Sequence, residues 1–581
     1  MKDFFKNFSI FFLGFFTSIT ILVIGLVFLF IHFAPVVNDI KQGSYLVYDF
    51  SGTITEKPQP KDKIFNDGGE IQLYELIKSI HAAKFDDKIE GIIINGDLVS
   101  ISTVHAEELM YAFNDFKKSG KKIFTWFSTG NNNNYFLSTV SDAIYMPSTN
   151  SADLSLTGYS ISIPYYKNLF DKYGVAFNVI HTGTFKGTGE NYTRSNISDE
   201  LKNQYTLVFN SLYNKKIADI SVNRNIDKKK LEQLYQSGES VMLTPAKALE
   251  FGLIDGLKNY DDLLSELFFN AKPKLVSIVD YSRILSPKKT GDKIAIMYAE
   301  GEINNYFSGN QLYNGSTIGA KSFNSDIERI LRNDSIKAVI IRVNSPGGSA
   351  LASELMLQQI IKLKEKKKVY VSMGQYAASG GYYISLAADR IITSAYTITG
   401  SIGVVSMFMD VSSLLNTVGV NFETIKKNKY DDLYNISRSP TIEEVALLKN
   451  MSSMIYNDFT SHVINHRKID KDTIGSIADG KIWSGSQSVT NKLTDETGTL
   501  QYTIDLIKKD LNLGEIVIEE YPLAKSLFDR LKEGQGVAMN SLWSSIHFNS
   551  KEIQSLSNIF GFYIINGKKP ALYLPFTEII E

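Results

Sequence analysis

The sequence predicts an α/β fold with parallel strands, built twice in tandem behind an N-terminal apolar helix. Three observations carry this expectation. Short β-branched apolar runs alternate with amphipathic stretches. The alternation recurs in the same order at an offset near 247 residues. The chain also opens with 24 charge-free residues, from Phe8 to Ile31.

The elements follow in chain order. As a helix, FSIFFLGFFTSITILVIGLVFLFI would be roughly 36 Å long, enough to cross a hydrocarbon layer of about 30 Å with some tilt. A cleavable export signal has a shorter apolar run and a small-x-small site. His32, Phe33, Ala34 and Pro35 follow here instead, so an uncleaved anchor ranks above an export signal or a buried helix. Lys2 and Lys6 place its N-terminus on the cytoplasmic side. Further on, KFDDKIEGIII (84–94) resembles RNDSIKAVII (332–341), and EELMYAFNDFKKSGKKIF (107–124) parallels SELMLQQIIKLKEKKKVY (353–370). YFLSTVSDAIYM (135–146) matches YYISLAADRIIT (382–393), LTGYS (156–160) pairs with ITGSI (398–402), and PKLVSIVDY (273–281) with LGEIVIEEY (513–521). The expected organisation is an anchor over 1–41, a first domain over 42–285, a second over 286–525 and an unassigned extension over 526–581. Within the second copy, 294–301, 338–345 and 368–374 are expected strands, with helices over 322–333 and 350–366 between them.

Composition narrows the function classes. The 581 residues are 44% hydrophobic and 21% charged with a net charge of -1, a balance that gives no support for a nucleic-acid surface, which would need a basic excess. With no cysteine, disulfides, thiolate metal sites and a cysteine nucleophile are excluded. Neither a cofactor nor a metal is expected.

The copies diverge where chemistry would reside. RVNSPGGS (342–349) faces NGDLVSIS (95–102) in the first copy, and AASGGYY (377–383) faces NNNNYF (131–136). Ser379 thus corresponds to Asn132, and only the second copy carries the serine and its glycine turn. A serine beside glycine is usually a turn residue. Two glycine pairs raise the functional reading: Gly380-Gly381 suits a tight strand-to-helix turn, and Gly347-Gly348 supplies free N–H groups after a neighbouring strand. Together they would form an oxyanion hole, in which one donor contributes about 3–4 kcal/mol.

A serine nucleophile needs a base. The histidines are poor candidates: His32 lies at the anchor, His81 and His105 in helical patterns, His462 and His466 four apart near Arg467, and His547 in the tail. Lys186 is better placed, in HTGTFKGTGENYT (181–193) directly after the apolar run 175–180, close to His181. Its counterpart KKNKYDD (426–432) has Asp431 at the matching position and Lys429 two residues out of register. Most loop lysines are solvated. A lysine that accepts a proton must be largely neutral, which burial between domains would favour.

At these residues the chain resembles the long form of the signal peptide peptidase A family of membrane-anchored serine proteases. The resemblance runs through the anchor, the tandem domains, RVNSPGGS, YAASGGYY, ITGSIGV (398–404) and ADGKIWSG (478–485). It implies a ClpP/crotonase fold of repeated β-β-α units and a Ser/Lys dyad. Carried over by motif, Ser379 is the nucleophile, Lys186 the general base, Ser401 the hydroxyl that holds the amine, and Gly348 and Gly380 the oxyanion donors. It further implies signal peptides and other apolar peptides as substrates, a homotetramer, and domains outside the cytoplasmic membrane of a bacterium. The sequence departs from the family pattern at TFKG and at Lys492, where glycine is usual. Two rivals stay open: an acyl-CoA enzyme of the crotonase class, and a non-catalytic scaffold.

Overall fold

The computed structural model describes residues 40–58, 70–285, 290–305 and 316–523, the strand Ala571–Tyr573, and four isolated positions, 14, 17, 18 and 25. The apolar stretch Phe8 to Ile31 lies, apart from those four positions, outside the described residues. So does the extension from 526, apart from the one strand. Among the described residues no helix is long and apolar enough to cross a membrane.

Two sheets repeat one order of six parallel strands, and the second also carries Ile398–Gly400 and, antiparallel to it, Ile482–Ser484. The first runs Gly256–Leu257, Ala143–Met146, Lys122–Trp126, Ile89–Asn95, Ser44–Tyr48, Leu275–Ser277. The second runs Glu496–Thr497, Arg390–Thr393, Lys368–Ala378, Ile336–Ser345, Asp292–Glu300, Ile516–Tyr521. Helices Leu73–Phe85, Thr103–Lys117, Ala320–Leu331 and Ala350–Lys364 connect the strands. Coverage by helices explains why runs such as AVIIRVNS are continuously apolar rather than alternating.

The Lys368–Ala378 strand outlasts the expected 368–374. Gln375 and Tyr376 break the apolar run, but the backbone continues extended. It leaves Arg390–Thr393 and pairs instead with Ile398–Gly400. A register irregularity between Val343 and Ser345 accompanies the change.

A third sheet joins the halves. Its order is Thr317–Gly319, Glu302–Asn304, Gly347–Ser349, Ala571–Tyr573, Val404–Asp410, Ala176–Thr182. The last pair is antiparallel, from Thr182 opposite Val404 to Ala176 opposite Asp410. A strand of the first half therefore extends a sheet of the second. The apolar core of the first half also takes in Ala378, Ala395, Tyr396, Ile398 and Ile482.

A buried charge cluster pins the halves together. Arg342 is fully buried and grips Glu56 with Nε and Nη2, both at 3.0 Å. Its Nη1 donates to Glu108 at 2.7 Å and to Ser372 Oγ at 2.9 Å. Burial alone would raise Glu56, but the guanidinium and His105 hold it down at about 2. Burial wins at Glu108, whose carboxyl is raised. Removing one partner of such a cluster costs about 3–5 kcal/mol, because an uncompensated charge stays buried. Arg342→Met is therefore expected to lower the denaturation free energy by roughly that amount. Adding Glu56→Gln to Arg342→Met should recover part of the loss. Urea titrations read both, and a change below about 1 kcal/mol would show that the cluster contributes no net stability.

Candidate active site

Ser379 stands where the Lys368–Ala378 strand turns into the short helix Gly380–Ser385. Its backbone has φ 55° and ψ −114°, an uncommon conformation for a side-chain-bearing residue. The amide of Ser379 donates to the Gly400 carbonyl at 2.8 Å, which fixes the turn. A Cβ on Gly381 would lie 2.6 Å from the Ser345 carbonyl oxygen, and one on Gly380 would lie 3.2 Å from the Gly348 nitrogen. Glycine is thus required at the turn, and the two glycine segments are in contact. Gly348 itself has φ 148°, and a Cβ there would lie 2.1 Å from the Ile303 carbonyl oxygen.

Lys186 comes from the other half of the chain. Its Nζ lies 2.8 Å from Ser379 Oγ and 2.9 Å from both the carbonyl and the hydroxyl oxygen of Ser401. All three residues are fully buried. Burial alone, with no opposing carboxylate, pushes the Lys186 amine well below the usual lysine range. A neutral amine has two N–H donors and one lone pair. Its hydrogens can serve the carbonyl and hydroxyl of Ser401, leaving the lone pair for the Ser379 hydroxyl. Ser401 is held in turn by left-handed backbone, φ 52°, and by its amide donating to the Lys481 carbonyl at 2.6 Å.

The lysine loop is clamped by residues that motif reading left without a role. The amide of Thr184 donates to Asp479 Oδ1 at 2.7 Å, and that of Phe185 to the Asp479 carbonyl at 2.9 Å. Gly480 has φ 82°, and a Cβ there would lie 2.4 Å from the Lys186 nitrogen. ADGK (478–481) was visible as a motif; its contact with residues near 185 was not.

The other sequence candidates lie elsewhere. Asp431 and Lys429 are exposed in a turn, where Asp431 accepts from the Asn428 amide at 2.8 Å. In the first half, Asn132 accepts from the Thr157 amide at 2.9 Å and donates to the Thr157 hydroxyl at 2.8 Å, so its side chain is engaged. His105 faces Glu56, His81 faces Asp115, and His462 lies 3.3 Å from Glu354, an acid too distant in sequence for spacing to suggest. His181 is lowered by burial and by Lys186. His32 and His547 lie outside the described residues. Lys492 adopts φ 60°, the left-handed conformation that glycine takes most easily. Among the described residues, no group of three or more His, Asp or Glu is arranged to hold a metal ion.

The arrangement can activate a serine hydroxyl and stabilise charge beside it, which is the equipment for acyl transfer. Comparison with known proteins gives the same class. The sequence model of peptidase family S49 matches residues 115–272 and 361–514. The chain is 30% identical to a protein named serine protease SPPA, chloroplastic, from Arabidopsis thaliana, over 82% of this chain and 70% of that one. It is also 30% identical to Protease 4 of Haemophilus influenzae, over 76% of this chain and 74% of that one. Among solved structures, a ClpP1 mutant from Listeria monocytogenes superposes with a TM-score of 0.24 at 14% identity, covering 36% of this chain and 92% of that one.

Proposed function

Because the chain belongs to peptidase family S49, we propose that its serine-peptidase activity runs through a Ser379/Lys186 dyad assembled across the two halves. The 2.8 Å approach of a buried lysine Nζ to Ser379 Oγ carries this reading. Neutral Lys186 takes the Ser379 proton as Oγ attacks the scissile carbonyl carbon. The oxyanion is met by the amides of Gly348 and Gly380. Lys186 then returns the proton to the leaving amine, and an acyl-enzyme forms on Ser379. Water attacks that ester, again giving its proton to Lys186, which passes it to Ser379 Oγ as the ester C–O bond breaks, and the second product leaves with both residues restored. Ser401 acts by orienting the amine.

The remaining parts of the reading extend from the sequence. The two halves, 42–285 and 286–525, are tandem ClpP/crotonase-like domains, supported by the repeated strand order. The stretch 8–31 anchors the chain in the bacterial cytoplasmic membrane with its domains on the far side. Substrates are cleaved signal peptides and other apolar peptides, and the working form is a homotetramer.

The test uses the full chain in detergent, a fluorogenic apolar peptide and a serine-reactive phosphonate. Hydrolysis is expected, with the phosphonate adduct located on Ser379 by peptide mass spectrometry. Ser379→Ala should lose both, with hydrolysis reduced by about 10³-fold or more. Labelling that persists in Ser379→Ala, or hydrolysis within tenfold of wild type, would sink the assignment. A correctly folded chain that neither hydrolyses nor labels would favour the scaffold reading.

A further inference from the structure

The helix Asp199–Arg224, from the first half, touches both sides of the site. Its start holds the lysine loop. Glu190, buried four residues after Lys186, accepts from the Ser198 amide at 2.6 Å and from the Ser198 hydroxyl at 2.8 Å. Ser198 caps the helix, its Oγ accepting from the Leu201 amide at 3.3 Å. The carboxylate therefore lies at the positive end of the helix, where the macrodipole attracts it. Leu201 is buried against the loop, since a Cβ on Gly187 would lie 2.6 Å from Leu201 Cδ2.

One turn on, the same helix reaches the second half. Residues three apart share a helix face. Gln204, three after Leu201, is buried and donates from Nε2 to the Ile482 carbonyl at 2.7 Å. Ile482 lies opposite Gly400 in the antiparallel pair of Ile398–Gly400 with Ile482–Ser484. The Gly400 carbonyl accepts the Ser379 amide, and the Lys481 carbonyl, next to Ile482, accepts the Ser401 amide. Farther along the helix, Ser211 Oγ lies 2.7 Å from Ser484 Oγ. The backbone that fixes Ser379 and Ser401 is thus bonded to the helix that holds the Lys186 loop.

We propose that Glu190 and Gln204 are positioning residues of the dyad, which set the distance of Lys186 from Ser379 and Ser401 by tying both sides to this one helix. The inference rests on the dyad reading above and adds to it the element that holds the dyad together. Lys186 and Ser379 come from different halves, so a displacement of either half would separate them. A helix fixes its own length through its backbone hydrogen bonds, and one turn, about 5 Å, separates the Leu201 and Gln204 contacts. Glu190 acts through Ser198 and Gln204 through the Ile482 backbone, so both reach the chemistry through other residues.

The experiment measures kcat, KM and the pH profile on the apolar fluorogenic peptide, with the full-length chain in detergent. Gln204→Met keeps the side-chain length and removes the donor. Glu190→Leu removes both acceptor oxygens, and Glu190→Gln keeps one. A misplacement of about 1 Å costs on the order of 10²-fold in rate, so Gln204→Met and Glu190→Leu should each lower kcat by about tenfold or more. KM should stay within about twofold, because substrate binding is not what changes. A loosened loop admits water to the amine, so the midpoint of kcat/KM should rise toward the ordinary lysine value. Glu190→Gln should return kcat to within about threefold of wild type, because the Ser198 amide keeps an acceptor. Both residues act on one distance, so the double variant Glu190→Leu with Gln204→Met should lose less than the product of the single losses.

A kcat within threefold of wild type in both single variants, with Ser379 still labelled by the phosphonate, would overturn the inference and leave the peptidase reading intact. An unmoved pH midpoint would also overturn it, since loss of folded protein scales activity alike at every pH. Multiplicative losses in the double variant would do the same. If far-UV circular dichroism shows Glu190→Leu unfolded, the kcat and midpoint of Gln204→Met decide alone. Absence of hydrolysis and labelling in the wild type would instead strike the peptidase reading, and the inference with it.

Discussion

Lys186→Met is expected to lower kcat on an apolar peptide by about 10³-fold, within the range that a positioned general base contributes. KM should change little, because the amine contacts Ser379 and Ser401 and lies fully buried. Methionine keeps the volume of the stem and removes the proton acceptor together with the two hydrogen bonds to Ser401. The wild-type pH profile gives the second reading. Only the neutral amine accepts the Ser379 proton, so kcat/KM rises with pH through the Lys186 pKa. Burial places that midpoint well below 10.5. The same shift has a stability consequence. Below 10.5 the unfolded chain binds a proton at this site that the folded chain releases, so stability rises with pH across that interval. Relative to Lys186→Met, the wild type should gain about 1.4 kcal/mol per pH unit between the folded pKa and 10.5. A variant retaining kcat within tenfold, or a profile still climbing at pH 10.5, would exclude Lys186 as the base.

Gly480→Ala should be nearly as damaging, although residue 480 takes no part in the chemistry. Its methyl group would lie 2.4 Å from the Lys186 nitrogen, on backbone at φ 82°. Either the 478–481 turn or the lysine loop must move. A misplacement of about 1 Å costs on the order of 10²-fold in rate. The expected result is a fall of that size in kcat/KM with the pH midpoint displaced, while far-UV circular dichroism stays native. Left-handed backbone at a non-glycine residue costs about 1–2 kcal/mol, so the fold should survive. Activity within threefold of wild type would mean that the lysine loop is not positioned from this turn. Asp479→Ala offers a milder companion, because it removes the acceptor for the Thr184 amide and leaves the turn glycine in place.

Much of the fold was legible because its signals are local. The strand Ile336–Ser345 and the helix Ala350–Lys364 were expected within two residues at each end, since apolar period and burial agree there. Lys368–Ala378 was underestimated because its last residues are held by Ile398–Gly400, a partner no local pattern names. The clustering of Arg342 with Glu56 and Glu108 was equally hidden. Those partners lie 286 and 234 residues away, and nothing near Arg342 marks it as buried. At the site, Ser379, its glycine turn and the loss of both from the first copy could be read directly. Asp479 and Gly480 could only be seen as part of a motif.

By itself the sequence determined the duplicated α/β pattern, the single complete serine turn and the absence of a cysteine nucleophile. Each depends on residue identity and on spacing within a few turns or strands. Only the tertiary structure decided that Lys186 meets Ser379, because the two are 193 residues apart and are joined by one antiparallel pairing, Ala176–Thr182 on Val404–Asp410. The same packing supplies what the proposed base needs. Its pKa is lowered by burial, and burial exists only once the two halves close around it.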